Sequence, residues 1–197
     1  ALAVIKPLAA LGLPPLLLLL IGLAVAIPVC MLLGAAIERI AYRPLRNAPR
    51  LAPLITAIGV SIMLQYLVVL IWGRSYHAYP ELLPTTPMDI FGARINATQI
   101  VIMALSGTVM AALLWLVHRT RLGRAMRATA ENPAVAQLMG VSVNRVVTFT
   151  FAIGSALGAV AGVLVSVNYS VAHYQMGFLL GLKAFTAAVL GGIGNLA

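Results

Sequence analysis

The chain has 197 residues, of which 62% are hydrophobic and only 9% are charged, and its mean hydropathy is +1.03. Soluble globular domains carry about 25% charged residues, so this composition excludes an ordinary soluble enzyme and indicates a protein covered mostly by lipid. The formal net charge of +9 would suit a nucleic-acid-binding protein. The basic residues stand in short groups beside apolar runs, however, so nucleic acid is not an expected partner.

Five segments, uncharged apart from Lys183 in the last, are long enough to cross about 30 Å of hydrocarbon as helices. In chain order they are residues 7–37, 51–72, 98–117, 146–167 and 176–197. Pro14 and Pro15 suit the start of the first helix, where a missing backbone N–H needs no partner. The sequence therefore predicts an all-α fold, a single polytopic transmembrane helical bundle over residues 1–197.

Arginines alternate between the connections of these segments. Residues 38–50 hold four and residues 118–145 hold five, whereas in residues 73–97 Arg74 and Arg94 are balanced by Glu81 and Asp89. Connections rich in Lys and Arg face the cytoplasm in most membrane proteins. We therefore expect the two arginine-rich connections to be cytoplasmic and the 73–97 loop to face an external partner.

The second cytoplasmic connection contains a helix with both ends specified. Asn132 suits the N-cap, Pro133 the first helical position, and Gly140 the left-handed position after the last turn. Val135, Leu138 and Met139 recur at helical spacing and give the helix one apolar face. Two turns are too short to be stable alone in water. The residues by themselves leave open whether this helix rests on lipid headgroups or docks on a protein.

Four stretches, taken together and in this order, resemble the membrane-spanning permease of branched-chain amino-acid ABC importers, of the LivH type. They are Glu38-Arg-Ile-Ala-Tyr-Arg-Pro-Leu-Arg46, Leu54-Ile-Thr-Ala-Ile-Gly-Val-Ser-Ile62, the loop from Arg124 to Gly140, and Lys183-Ala-Phe-Thr-Ala-Ala-Val-Leu-Gly-Gly-Ile-Gly194. The family has a glycine-rich N-terminal region and later helices that are not found here. We therefore expect the sequence to be a fragment lacking both ends.

The resemblance implies a permease for leucine, isoleucine and valine in the cytoplasmic (inner) membrane of a prokaryote. It implies three kinds of protein partner: cytoplasmic ATPase subunits, a second permease subunit of similar fold, and an extracytoplasmic substrate-binding protein. ATP would be used by the ATPase subunits, so the chain itself is expected to be no enzyme and to need no cofactor. His77, His118 and His173 are scattered, and no metal site, P-loop or catalytic group is expected.

The resemblance also implies a coupling role for the cytoplasmic helix, which in ABC importers sits in a groove of the ATPase. This favours docking on protein over docking on lipid for the 118–145 connection. The residues expected to carry the coupling are Arg124, Arg127, Glu131, Asn132, Pro133, Ala134, Val135, Leu138, Met139 and Gly140.

Small and polar residues inside the spans suggest two further roles. Gly154, Gly158 and Gly162 recur every four residues and predict a face for close helix packing, within this chain or, less favoured, against a second permease subunit. Gln65 and Lys183 are candidates for a substrate path. The alternative for Gln65 is a hydrogen bond to another helix. The alternative for Lys183 is that residues 168–175 form an ordinary external turn and the Lys183 side chain extends outward to the membrane interface.

Three other functions would have different features. A permease for urea, short amides or another small polar solute would share the architecture, and the sequence shows no pocket that separates the substrates. A secondary carrier or channel would more often place acidic residues within its spans, and the sequence suggests that all four acidic residues lie outside them. A purely structural membrane protein would have no ATPase partner.

Overall fold

The chain, seen in a computed structural model, is described over residues 14–47, 49, 52–78, 87–90 and 93–191. These residues are almost entirely helical, which confirms the all-α prediction. The α-helices among them are α1 (Pro15–Ile37), α2 (Ala52–Trp72), α3 (Ala97–Arg119), α4 (Arg121–Glu131), α5 (Pro133–Leu138), α6 (Val143–Tyr169) and α7 (Met176–Leu190). A π-helical turn (Glu38–Tyr42) and a 3₁₀ turn (Arg43–Asn47) continue α1 toward α2.

Four of the helical stretches are long and apolar enough to cross a membrane. They are Leu17–Leu45, Ile55–Trp72, Thr98–Arg119 and Val143–Tyr169, while α7 is a shorter apolar helix. These match the first four predicted segments, and α7 starts the fifth. The predicted beginning of the first segment (7–13), the end of the fifth (192–197) and the middle of the external loop (79–86) lie outside the described residues.

Short strands, which the sequence did not suggest, join the helices on the side opposite the arginine-rich connections. β1 (His77–Ala78) pairs antiparallel with β4 (Val171–Ala172), and β2 (Pro87–Ile90) pairs antiparallel with β3 (Ala93–Asn96). Strands of two to four residues leave no readable alternation of apolar and polar positions. The first pair fastens the loop after α2 to the loop between α6 and α7.

The packed core lies between α1 and α6. Leu18, Leu19, Leu23 and Ala26 of α1 are buried together with Ala159, Val163 and Val167 of α6. At Gly34 the two helices approach so closely that an added Cβ would lie 2.7 Å from Ser155 Cβ and 3.1 Å from the Phe151 carbonyl oxygen. Small residues allow such close approach in membranes, where van der Waals packing holds helices together.

Candidate functional site

A tight turn sets the start of the cytoplasmic segment. Thr120 ends α3, and its hydroxyl donates to the Leu116 carbonyl oxygen at 2.6 Å while accepting from the Gly123 N–H at 3.0 Å. A Cβ on Gly123 would overlap the carbonyl oxygens of Leu116 and Val117. Only glycine therefore fits where α4 folds back against the end of α3.

Arg124 and Arg127 lie on a helix of their own, which the sequence analysis did not predict. α4 is an 11-residue helix with Thr120 as its N-cap. Both arginines are exposed, whereas Leu122 and Met126 are half-buried. The Thr120 cap and the four-residue spacing of Leu122 and Met126 are the sequence features from which α4 was predictable.

The predicted start and stop of α5 are confirmed. The Asn132 side-chain oxygen accepts from the N–H groups of Ala134 and Val135 at 3.1 and 3.2 Å, and Pro133 occupies the first turn. Gly140 has φ +81°. Its N–H bonds to Gln137, and the Val141 N–H bonds to Ala136, both at 3.0 Å. This is the Schellman arrangement, which requires a left-handed residue that glycine supplies without strain.

The apolar face of α5 points away from the described part of the chain. Leu138 is 87% exposed and Met139 80% exposed, while Ala136 on the other face is only 3% exposed. The structure brings the ten predicted coupling residues into one continuous segment and leaves each of them exposed: Arg124, Arg127, Glu131, Asn132, Pro133, Ala134, Val135, Leu138, Met139 and Gly140. Their coupling role remains a prediction.

The glycine stripe of α6 is open. Among the described residues, nothing outside the local helix lies within 4 Å of a Cβ built on Gly154, Gly158 or Gly162. The close contact between α1 and α6 instead uses Gly34 and Ser155. The part of the chain that the structure describes therefore does not fill the predicted packing face, and its partner remains to be identified.

The two candidates for the substrate path are separated. Gln65 donates to the Ser61 hydroxyl at 3.2 Å on its own helix and lines a cavity of about 610 Å³. Lys183 is exposed and does not line it. Arg74 lines it, although the sequence analysis had treated this arginine only as a loop charge. The residues lining the cavity are Ile58, Ile62, Gln65, Tyr66, Val69, Arg74, Tyr174, Gln175, Phe178 and Leu179.

The turn between α6 and α7 is tied to the loop after α2. α6 ends at Ser170, whose φ is +53°, and β4 follows at once. The rings of Tyr76 and His173 stack with their centroids 4.3 Å apart, beside the pairing of β1 with β4. This ordered turn, together with the exposed Lys183, fits the simple external turn that the sequence analysis had kept as an alternative.

Glu38 was misplaced by the sequence analysis, which set every acidic residue outside the spans. It lies within the continuous stretch Leu17–Leu45 and is only 1% exposed. Thr148 Oγ1, 110 residues away, donates to Glu38 Oε2 at 2.7 Å. A buried carboxylate is stable only when hydrogen bonds replace its water, so this contact joins the cytoplasmic ends of α1 and α6.

Comparison with known families decides the identity of the chain. Residues 1–197 match the family described as the permease component of the branched-chain amino acid transport system. The chain belongs to this family. It is accordingly a multi-pass protein of the cytoplasmic membrane, and its apolar helices agree with this. No solved structure matches it.

Individual relatives of this permease component agree. It is 46% identical over 184 residues to the high-affinity branched-chain amino acid transport system permease protein BraD of Pseudomonas aeruginosa, covering 91% of this chain and 60% of the relative. It is 45% identical over 184 residues to LivH of Escherichia coli, with the same coverage. It is also 34% identical over 131 residues to the autoinducer 2 import system permease protein LsrC of Klebsiella pneumoniae, covering 64% of this chain and 36% of the relative. The chain thus spans about 60% of the length of its branched-chain relatives.

Proposed function

We propose that the chain is the membrane-spanning permease subunit of an ATP-binding-cassette importer that carries leucine, isoleucine and valine into the cell. In this proposal two ATPase subunits bind the cytoplasmic side, a substrate-binding protein delivers the amino acid outside, and a second permease subunit completes the pathway. ATP hydrolysis on the ATPase subunits then moves the permease between outward and inward access.

The exposed face of α5 is the observation that carries the proposal. Leu138 and Met139 stand at the tip of a short helix whose backbone is fixed at both ends by Asn132 and Gly140. Two exposed apolar side chains on a backbone fixed in this way offer a docking surface, and the exposed Arg124 and Arg127 belong to the same cytoplasmic segment. If these side chains sit in a groove of an ATPase, a movement of the groove would displace α5 as a whole, because its backbone is fixed at both ends.

The substrate class is supported by the names of BraD and LivH, the relatives that are 45–46% identical to this chain. A branched-chain amino acid needs an apolar surface for its side chain and a cation for its carboxylate. The cavity between α2 and α7 offers Ile58, Ile62 and Leu179 for the first and Arg74 for the second. We therefore assign the carboxylate contact to Arg74 instead of Lys183, with Gln65 on the wall of the same path.

Uptake by the assembled transporter tests the substrate. Vesicles that carry the complete permease, its ATPases and its binding protein are loaded with ATP and given labelled leucine. The proposal expects ATP-dependent uptake that excess valine or isoleucine blocks and urea does not. Uptake blocked by urea instead would leave an importer with a different solute.

Paired substitutions test the two sites. Leu138→Ala is expected to reduce co-purification of the ATPase, whereas Leu70→Ala, at a side chain equally exposed on α2, is expected to leave it unchanged. Gly140→Val forces a branched residue into positive φ and should uncouple ATP hydrolysis from uptake without preventing membrane insertion.

Arg74→Gln should raise the KM for leucine, and Lys183→Met should not. A raised KM in Lys183→Met with an unchanged KM in Arg74→Gln would instead assign the contact with the substrate carboxylate to Lys183.

A further inference from the structure

Glu38 is held at a structural transition between two kinds of helix. α1 changes to a π-helical turn at Glu38–Tyr42, where the Arg43 N–H bonds to the Glu38 carbonyl oxygen five residues back. Single π turns inside α-helices are uncommon and are frequent at functional sites. On one side of this turn Gly34 packs on Ser155, and on the other the Tyr42 ring lies 4.9 Å from the Phe151 ring. Along the chain, Glu38 stands between Gly34 and Tyr42, at the start of the π turn.

Thr148, which holds that carboxylate, stands close to the cytoplasmic docking segment. It lies in the second turn of α6, and only residues 139–142 separate α6 from α5. The bond from the Val141 N–H to the Ala136 carbonyl oxygen fixes this connection, and Ala136, Val143 and Val146 are buried. A displacement of α5 must therefore move the first turns of α6, including Thr148.

Contacts between α1 and α6 then carry the displacement into the membrane. The Thr148 hydroxyl lies within hydrogen-bond distance of two acceptors, Glu38 Oε2 at 2.7 Å and the Asn144 carbonyl oxygen on its own helix at 2.9 Å. Inside a protein, away from water, a hydrogen bond is electrostatically stronger than it is in water. It is well suited to hold the ends of two helices together while both move.

We propose that Glu38 and Thr148 are positioning residues that transmit the movement of α5 to α1 and so couple ATP hydrolysis to opening of the transport path. The inference rests on the proposed function, because it assumes that α5 is moved by an ATPase. It adds a route from the docking surface into the first span, through the hydrogen bond between Thr148 and Glu38. Neither residue need touch the substrate.

The test compares ATP hydrolysis and leucine uptake in the same vesicles that carry the complete transporter. Thr148→Val keeps the shape of the side chain and removes the hydroxyl. Thr150→Val is the matched control, since Thr150 Oγ1 donates at 2.9 Å to the carbonyl oxygen of Val146 on its own helix. Thr148→Ser restores the hydroxyl and should restore coupling. Glu38→Ala removes the other half of the contact, while Glu38→Gln keeps an acceptor and removes the charge.

We expect Thr148→Val and Glu38→Ala to increase the ATP hydrolysed per leucine by roughly fivefold or more, the lower range of coupling between sites. Thr150→Val and Thr148→Ser should keep the wild-type ratio, and Glu38→Gln should fall between. A purely structural role would lower the amount of assembled transporter but leave the ratio per assembled transporter unchanged. The amount of co-purified ATPase is therefore measured in every sample.

Two failures are distinguishable. Wild-type coupling together with an unchanged ratio in both Thr148→Val and Glu38→Ala would overturn this inference and leave the proposed function standing. A wild-type assembly that binds no ATPase would overturn the proposed function, and the inference with it. A changed ratio in Thr150→Val as large as that in Thr148→Val would also overturn the inference, because loss of any threonine hydroxyl on α6 would then suffice.

Discussion

Two pairs of helices in this chain differ sharply in how they are covered. α1 and α6 bury leucine, alanine and valine side chains against each other and lock their cytoplasmic ends with Glu38 and Thr148. α2 and α7 are equally apolar, yet most of their described side chains are exposed. The chain also spans only about 60% of the length of its branched-chain relatives.

Composition does not separate these pairs, because lipid accepts an apolar helix on every face. What separates them is the presence of small or polar residues at matching positions on both partners. Gly34 faces Ser155, and Glu38 meets Thr148. α1 and α6 are therefore a preformed unit, and α2 and α7 carry surfaces for lipid or for helices beyond the described residues. Substitutions can test this division, and we order them by expected effect.

The largest effect is expected from Gly34→Leu. A side chain at this position must push α1 away from Ser155 and the Phe151 backbone, and overpacking of this kind costs about 3 kcal/mol. Gly59→Leu is the matched control, since a Cβ on Gly59 of α2 meets nothing within 4 Å. Thermal unfolding in detergent should show a lowered midpoint for the first variant only. Equal unfolding midpoints for Gly34→Leu and Gly59→Leu would contradict the division into packed and open helices.

The next effect is expected at the turn where α3 meets the cytoplasmic segment. Gly123→Ala places a Cβ against the carbonyl oxygens of Leu116 and Val117, opens the turn and weakens the cap that Thr120 provides. The combined cost is about 2 kcal/mol. Gly107→Ala in α3, where the added Cβ meets nothing within 4 Å, should be harmless. Limited proteolysis in the 118–131 region would report the opening, and equal cleavage of both variants would contradict it.

The same division explains how far the sequence could be interpreted. The first four spans and the limits of α5 depend on local features, namely runs of apolar residues, the Asn132 cap and the Gly140 stop, and these predictions were correct. Glu38 was placed wrongly because its burial depends on Thr148, 110 residues away, and no local pattern encodes that contact. The glycine stripe of α6 was a visible pattern, but which face meets which helix depends on the tertiary arrangement, and the close approach formed at Gly34 instead.

A smaller effect is expected at α5, whose backbone is ordered although its apolar side chains are exposed. Asn132→Ala removes the acceptor for the Ala134 and Val135 N–H groups, and loss of such a cap costs about 1 kcal/mol. Ser142→Ala is the control, because Ser142 stands at the N-cap of α6 without a side-chain capping bond. Hydrogen exchange of residues 133–138 should accelerate in the first variant and not in the second. Unchanged exchange in both would mean that the Schellman turn alone orders α5.

The smallest effect on the chain itself is expected from Gly158→Leu, and it tests the open face of the packed unit. Nothing described lies within 4 Å of a Cβ there, so the free energy of unfolding of the chain should change by no more than about 0.5 kcal/mol. If a second permease subunit packs on the stripe, its co-purification should nevertheless be lost, because a leucine prevents the close approach that glycine allows. Gly107→Leu, at an equally open position on α3, should retain that subunit. Retention by both variants would assign the α6 stripe to lipid or to another helix of the same protein, and the subunit interface would then lie on a different helix.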